Sequence, residues 1–311
     1  MKRSDVYQDE RYIAMNPFVA LQPQDVGETR IVRTWTDTNG FKHEFIIEAP
    51  RIAGEYAEQV FIALLYFTYQ QREKGHDLPS CVTVNQSDLF NIMHWPSTGR
   101  YSSRLKDSLD YYMSVKITTN TYRQRRELRV LSTHVLAGYE IYTQGRRKRV
   151  RWEWAPDFLA QIQEGDHLYS NVNDYFSLST PTSRRCFRLL QALTIPGGKP
   201  YVADLKHFAE IRMGMGSTRV FAHVARRLEN ALEELRAKKL GIGFITENPE
   251  RIILARYPKD SAETLSIFAE LPDRIKNQLP PPRLPGLAGQ YEQREQVSRL
   301  ILEIPVILKD G

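Results

Sequence analysis

The residues of this chain best equipped for chemistry are arginines in two short clusters, each with small polar partners. Arg100, Ser103 and Arg104 form the first, and Ser217, Arg219, His223, Arg226 and Arg227 form the second. A guanidinium can donate two parallel hydrogen bonds to O6 and N7 of guanine, while a hydroxyl or an imidazole can bond a phosphate oxygen or a base edge. Arginine on the outer face of an amphipathic helix is also ordinary solvated surface. What sets these residues apart is that the pattern occurs twice.

The elements that must hold them repeat as well. In the first copy Asp88-Leu89 belongs to a short helix, and Ser97 or Thr98 caps a second helix running to about Met113. Tyr101, Leu105, Leu109 and Tyr112 recur on that helix at core spacing. In the second copy Asp204–Arg212 is the short helix, Gly214 and Gly216 make the turn, and Ser217 caps a helix to about Lys239. Its core stripe is Phe221, Val224, Leu228, Ala231, Leu232 and Leu235. Strands follow each copy. Residues 115–122 and 128–135 read as the first wing, with 138–143 and 150–154 continuing its sheet, and 241–246 with 251–257 form the second hairpin.

Short helix, turn, capped helix and β-hairpin is the outline of a winged helix, which lays its second helix in the DNA major groove. The expected fold class is therefore α+β, with two tandem winged-helix domains over 55–155 and 156–259. Residues 1–54 read as an arm and a hairpin packed on the first domain, the hairpin turning at Asn39-Gly40. Residues 260–311 read as a tail with a Pro-rich linker.

Charge is segregated in the same way. The whole chain is +6, but residues 100–151 carry 13 Lys and Arg against 4 Asp and Glu, and residues 182–240 carry 12 against 5. The stretch between them, 152–181, has no Lys or Arg and 5 acids. Two basic blocks that coincide with the two helical patterns suit a polyanion. Within the first block Arg123, Arg125, Arg126 and Arg129 cluster at one hairpin, and Arg146, Arg147, Lys148, Arg149 and Arg151 at the next. Such clusters fit phosphates or a narrow minor groove. They should supply affinity, and the helices specificity.

Other chemistries find no foothold. Gly197-Gly198-Lys199-Pro200 is not a phosphate-binding loop. The seven histidines are scattered, without the His-hydrophobic-His pair of metal-dependent DNA nickases, and no carboxylate pair stands out. Cys81 and Cys186 are too few for a disulfide framework or a zinc site and are expected to be small buried hydrophobes. No catalytic residue, cofactor or metal is assigned, and the chain is not expected to be an enzyme. No apolar run approaches the ~20 residues of a membrane helix, and Met1–Glu10 carries no secretory signal. A cytoplasmic protein associated with the nucleoid or a plasmid, without membrane contact, is expected.

Three stretches resemble the replication initiator protein A family of bacterial plasmids. They are Asp88-Leu89 followed by Gly99-Arg100-Tyr101-x3-Leu105-x3-Leu109; Asp174-Tyr175-Phe176-x-Leu178-x2-Pro181-x2-Arg184-Arg185; and Arg219-Val220-Phe221-x4-Arg226-x-Leu228. The hydrophobic and hairpin pattern fits from about Asn16 to Tyr257, while the tail beyond 260 has no counterpart. Arg185-Cys186-Phe187 stands where the family pattern more often has Arg-Leu-Tyr, a conservative departure. The resemblance implies binding of repeated origin sites in double-stranded DNA, with recruitment of a host initiator ATPase and the replicative helicase. It also implies repression of the chain's own promoter as a homodimer. The residues by themselves support double-stranded DNA binding by two modules, and a winged-helix transcriptional regulator that never opens an origin would share them.

Overall fold

The structure, a computed structural model, describes residues 5–19, 21, 30–36, 42–72, 76–124, 127–195, 200–215, 221–247 and 250–256. Its centre is α2 (Glu55–Gln70), apolar on nearly every side: Val60, Phe61, Ile62, Ala63, Leu64 and Leu65 are all buried. A helix that is hydrophobic all round must be enclosed by other elements. The Phe61 ring meets Phe18, Tyr112, Trp154 and Phe158 at centroid separations of 5.0–6.1 Å.

Around α2 the first module continues with β4 (Cys81–Asn85), α3 (Gln86–Ile92) and α4 (Gly99–Ser114). Its hairpin is β7 (Leu136–Gln144) and β8 (Arg147–Trp154). The second repeats the plan: α7 (Pro181–Leu193), β10 (Tyr201–Asp204), α8 (Leu205–His207) running into a π-helical turn (Phe208–Arg212), α9 (Phe221–Ala237), then β11 (Ile242–Glu247) and β12 (Glu250–Ala255). The sheet orders are β4-β8-β7 and β10-β12-β11. In both modules the strand before the short helix pairs with the second strand of the hairpin. That shared topology is the winged helix, present in tandem, in an α+β chain.

The strands after α4 correct one expectation. Lys116–Gln124 (β5) and Glu127–His134 (β6) are not the wing. They join β2 (Arg30–Thr36) and β3 (Lys42–Glu48) in a separate sheet of order β2-β3-β5-β6. The wing is β7–β8. The reason lies in long-range pairing: β8 sets Val150, Trp152 and Trp154 inward and registers Trp152 opposite Val82, whereas β5 puts Ile117 opposite Ile47 of β3.

The N-terminal arm is shared between the modules. β1 (Val6–Glu10) packs on α2, but its hydrogen bonds go to β9 (His167–Asn171), with Val6 opposite Asn171 and Glu10 opposite His167. α1 (Arg11–Met15) follows and packs on α7. Asn16 and Phe18 are buried, so this part of the arm is docked. The remaining elements are α5 (Pro156–Glu164) and α6 (Val172–Ser177). The turn at Asn39-Gly40 and the tail 260–311 lie outside the described residues.

Although β1 reads Val-Tyr-Gln-Asp-Glu, it is buried along its whole length. Gln8 Nε2 donates to the Ile162 carbonyl at 2.8 Å. Glu10 caps α1 by accepting from Ile13 N at 2.9 Å. Burial pushes the Glu10 carboxyl from its ordinary 4.5 up to about 8. Between those values the folded chain holds a proton that the unfolded chain has released, so this group's contribution to stability falls as pH rises through that window. Glu10→Gln is expected to flatten the decline of the melting midpoint between about pH 5 and about pH 8. An unchanged profile would mean that Glu10 is ionised in the folded chain.

Charge is also buried where the two modules meet. Arg185 of α7 is fully enclosed, and its Nε donates to both carboxylate oxygens of Glu58 on α2, at 2.8 and 2.9 Å. Its terminal nitrogens reach the carbonyls of Val19 and Met213. Arg188 pairs with Asp9 of β1 at 2.8 Å and with Glu58 at 3.3 Å. Burial works against the Arg188 charge, but Asp9 and Glu58 hold it above its usual range. Arg33 of β2 donates to the Pro17 carbonyl, and burial, with Arg185 and Arg212 nearby, lowers it to about 9. Gly214, at φ +65°, turns the chain here, and a side chain at that position would meet Arg33 and Arg185 at 3.9 Å.

Candidate nucleic-acid interface

The first candidate recognition helix is α4. Leu105, Ser108, Leu109, Tyr111 and Tyr112 are its buried residues. Tyr112 and Tyr111 donate from their hydroxyls to the carbonyls of Ala57 and Phe18 respectively. Its start is fixed by the turn before it. Trp95 N donates to the Phe90 carbonyl at 2.8 Å, and Trp95 Nε1 to Gln59 on α2 at 2.9 Å. Gln86 of α3 donates to Ser102 Oγ at 2.9 Å. Thr98 is the N-cap, in extended conformation, but its side chain makes no capping bond, unlike the sequence expectation. These bonds orient a rigid helix whose exposed residues include Arg100, Ser103, Lys106, Asp107 and Asp110.

Arg104 departs from that outer stripe. Its guanidinium lies 3.7 Å from the Tyr56 ring centroid and 4.9 Å from that of Tyr101. This stacking fixes a half-buried cation against the first turn of α2. The expected pair of base readers thus separates into an outward Arg100 and a clamped Arg104. Lys106, which the sequence reading did not single out, is exposed and pairs with Asp110 at 2.8 Å. Asp110 also accepts from the Tyr139 hydroxyl on β7. Helical spacing alone would have placed Lys106 on that face.

The second candidate recognition helix is α9. Val224, Leu228, Ala231, Leu232 and Leu235 are buried as the stripe required. His223 and Arg226 are exposed beside each other on the opposite side. Arg227 is half-buried, and its Nη2 donates to Thr182 Oγ1 in the first turn of α7 at 3.2 Å. Glu234 anchors the far half by accepting from the Ser179 amide and hydroxyl at 2.7 and 3.0 Å. Ser217 and Arg219 lie outside the described residues.

The wing tip turns at Gly145, φ +63°, where glycine avoids a left-handed strain. Arg146, Arg147 and Lys148 are exposed there, and Arg149 is half-exposed with its Nε bonded to Gln144 at 3.3 Å. Further down the strand Arg151 is occupied, donating to Cys81 Sγ at 3.0 Å and pairing with Glu140 at 3.5 Å. Cys81 is only half-buried, so the buried hydrophobe expected there is found at Cys186 alone, whose thiol burial raises to about 12. Arg123 falls in β5, on the other sheet, so its hairpin is separate from the wing. Arg125 and Arg126 lie outside the described residues.

Among the described residues, the structure therefore brings into a single chain two long helices that each present an exposed arginine, Arg100 on α4 and Arg226 on α9, and a basic wing tip at Arg146, Arg147 and Lys148. The sequence profile of replication initiator protein A matches residues 8–235, more than two thirds of the chain. The chain belongs to the replication initiator protein A family. No curated protein sequence matches it. Among solved structures it is similar to domains 2 and 3 of RctB in a selenomethionine derivative, with a TM-score of 0.51, 13% identity, and coverage of 78% of this chain and 97% of that one. It is also similar to the Pi initiator protein in complex with iteron DNA, with a TM-score of 0.49, 9% identity, and coverage of 82% and 97%. At such identity the RctB likeness concerns the fold. In this member of the family the candidate interface carries exposed arginine and lysine side chains, whose charge suits a polyanion. Among the described residues no helix is long and apolar enough to cross a membrane.

Proposed function

We propose that this replication initiator is a non-catalytic, sequence-specific reader of double-stranded DNA that acts at repeated origin sites of a plasmid or similar replicon in the cytoplasm. The observation that carries the reading is the repeated module: the same strand order twice, each time presenting the outer face of its long helix with exposed basic residues. α4 and α9 enter successive major grooves, with half-sites one helical repeat, about 10 bp, apart. Arg100 and Ser103 read from the first module, and His223 and Arg226 from the second, with Ser217 and Arg219 assigned to the same face by sequence. The wing residues Arg146, Arg147, Lys148 and Arg149 hold phosphates, and Arg123, Arg125 and Arg126 offer a second basic hairpin. Copies bound side by side bend the DNA and strain an adjacent A·T-rich tract, where opening costs least. The host initiator ATPase and replicative helicase then act on that tract, and a homodimer represses the chain's own promoter.

The test is replication itself. A circle carrying the DNA around this chain's gene and no other origin should be maintained when the chain is supplied. Arg100→Ala with Arg226→Ala should abolish maintenance while leaving the fold intact. Repression of the promoter without maintenance would make the protein a transcriptional regulator and overturn the initiator reading. In equilibrium binding, Arg226→Ala should relax preference at one base position by about 1–3 kcal/mol. Uniform weakening on every sequence would remove Arg226 from base reading.

A further inference from the structure

Three arginines on three different helices meet near the starts of α2 and α7: Arg104 of α4 rests on Tyr56, Arg227 of α9 bonds Thr182, and Arg184 sits on the same turn of α7 as Thr182, beside Arg185, which pairs with Glu58 of α2. The Nε of Arg184 is shut off from solvent with no hydrogen-bond acceptor. Glu55 is the first residue of α2, next to Tyr56, and its carboxylate is within the electrostatic reach of all three. Burial raises the Glu55 carboxyl, and Arg184, Arg104 and Arg227 pull it back in that order. Among the described residues none of the three forms an ion pair with Glu55. All four side chains are half-exposed. The junction between the modules is thus an open cluster with positive charge in excess.

We propose that Arg104, Arg184 and Arg227 form a seat for one backbone phosphate of the DNA, in the stretch that passes from the groove read by α4 to the groove read by α9. The proposal rests on the two-module grip described above. Arg104 lies one helical turn from Arg100, and Arg227 adjoins Arg226, so a duplex touching both outer faces must run across the space between them. A phosphodiester presents the planar pair of oxygens that a guanidinium binds through two N–H groups. Arg104 and Arg227 are already fixed in place, and a small rotation of Arg184 gives its orphaned Nε an acceptor. A backbone phosphate carries no sequence information, so the seat sets register and affinity, not base preference. Glu55 weakens the seat until DNA displaces its influence.

The experiment compares the full chain with Arg184→Gln and Glu55→Gln on two duplexes, the chain's footprinted site and one of arbitrary sequence, across a series of KCl concentrations. Arg184→Gln should lower the slope of log K against log salt by about 0.9 on both, one phosphate's worth, with the ratio of affinities between them unchanged. Glu55→Gln should bind both several-fold tighter, a gain that a misfolded chain does not produce. An unchanged slope for Arg184→Gln with site preference intact overturns the seat alone. Failure of the unaltered chain to prefer its site overturns the two-module reading. Stabilisation of the DNA-free chain by inorganic phosphate that depends on Arg184, with no change of slope on DNA, would assign the cluster to a free anion and also overturn the proposal.

Discussion

Glu58→Gln is expected to destabilise the folded chain by about 3–5 kcal/mol, the cost of removing one partner from a buried ion pair. Glu58 is the carboxylate that Arg185 and Arg188 share, and all three side chains are almost wholly enclosed. Glutamine keeps the shape and removes the charge, so among the described residues Arg188 keeps Asp9 of the arm while Arg185 keeps only the Val19 and Met213 carbonyls. For a chain of this size the melting midpoint should fall by on the order of 10 °C. A double variant, Glu58→Leu with Arg185→Leu, should lose less than the sum of the two single variants, because an apolar replacement of a whole buried pair removes the desolvation cost along with the attraction. Additive losses would show that the pair is not coupled. The same network has a consequence for DNA. Glu58 sits on the first module and Arg185 and Arg188 on the second, so the pairs fix the angle between the recognition helices. A surviving Glu58→Gln chain should tolerate an extra base pair between half-sites better than the unaltered protein does.

Removing Arg146, Arg147 and Arg149 together is expected to flatten the salt dependence of DNA binding by about three phosphate contacts. At about 0.9 per contact, the unaltered chain should lose about 40-fold more affinity than the variant between roughly 50 and 200 mM salt. These residues lie at or beside the hairpin tip, and Arg151, which is already paired with Glu140 and Cys81, is left in place as a structural member of the strand. Titrations followed by fluorescence anisotropy at several salt concentrations give the slopes directly. Equal slopes would take the wing off the DNA. Because Val150, Trp152 and Trp154 carry the packing of β8, the triple variant should melt with the unaltered chain.

What the sequence disclosed, and what it concealed, follows the range of the interactions involved. The long helices α4 and α9 are visible because their apolar residues recur at helical spacing, and that spacing needs no knowledge of the partner surface. The pairing of β2 with β3 is visible for a similar reason, through the alternating stretches that flank Asn39-Gly40 in the sequence. The identity of the wing is not local. Either hairpin after α4 has alternating strands, and only the pairing of Val82 with Trp152, seventy residues apart, decides which one joins the module. β1 is hidden because Gln8, Asp9 and Glu10 look solvated, and their partners Ile162 and Arg188 are more than 150 residues away. Arg184 and Arg185 are neighbours with the same side chain, yet Arg185 is enclosed and paired while Arg184 is half-exposed with its Nε buried and without an acceptor. The proline that starts α7 fixes the helix, but the face each arginine takes is set by α2 and the arm. Arg104 teaches the same lesson: its outward position on a helical wheel yields to a stack on Tyr56 that the sequence does not display.

The most direct test of the central claim is a hydroxyl-radical footprint of the purified chain on the DNA flanking its own gene, at near-physiological salt and without nucleotide or metal. Two modules in successive grooves predict paired protected tracts about 10 bp apart on one face of the duplex, repeated along a ladder of direct repeats beside an A·T-rich stretch. A single protected half-site, or protection with no preference for any sequence, would contradict the account of two winged helices reading DNA together.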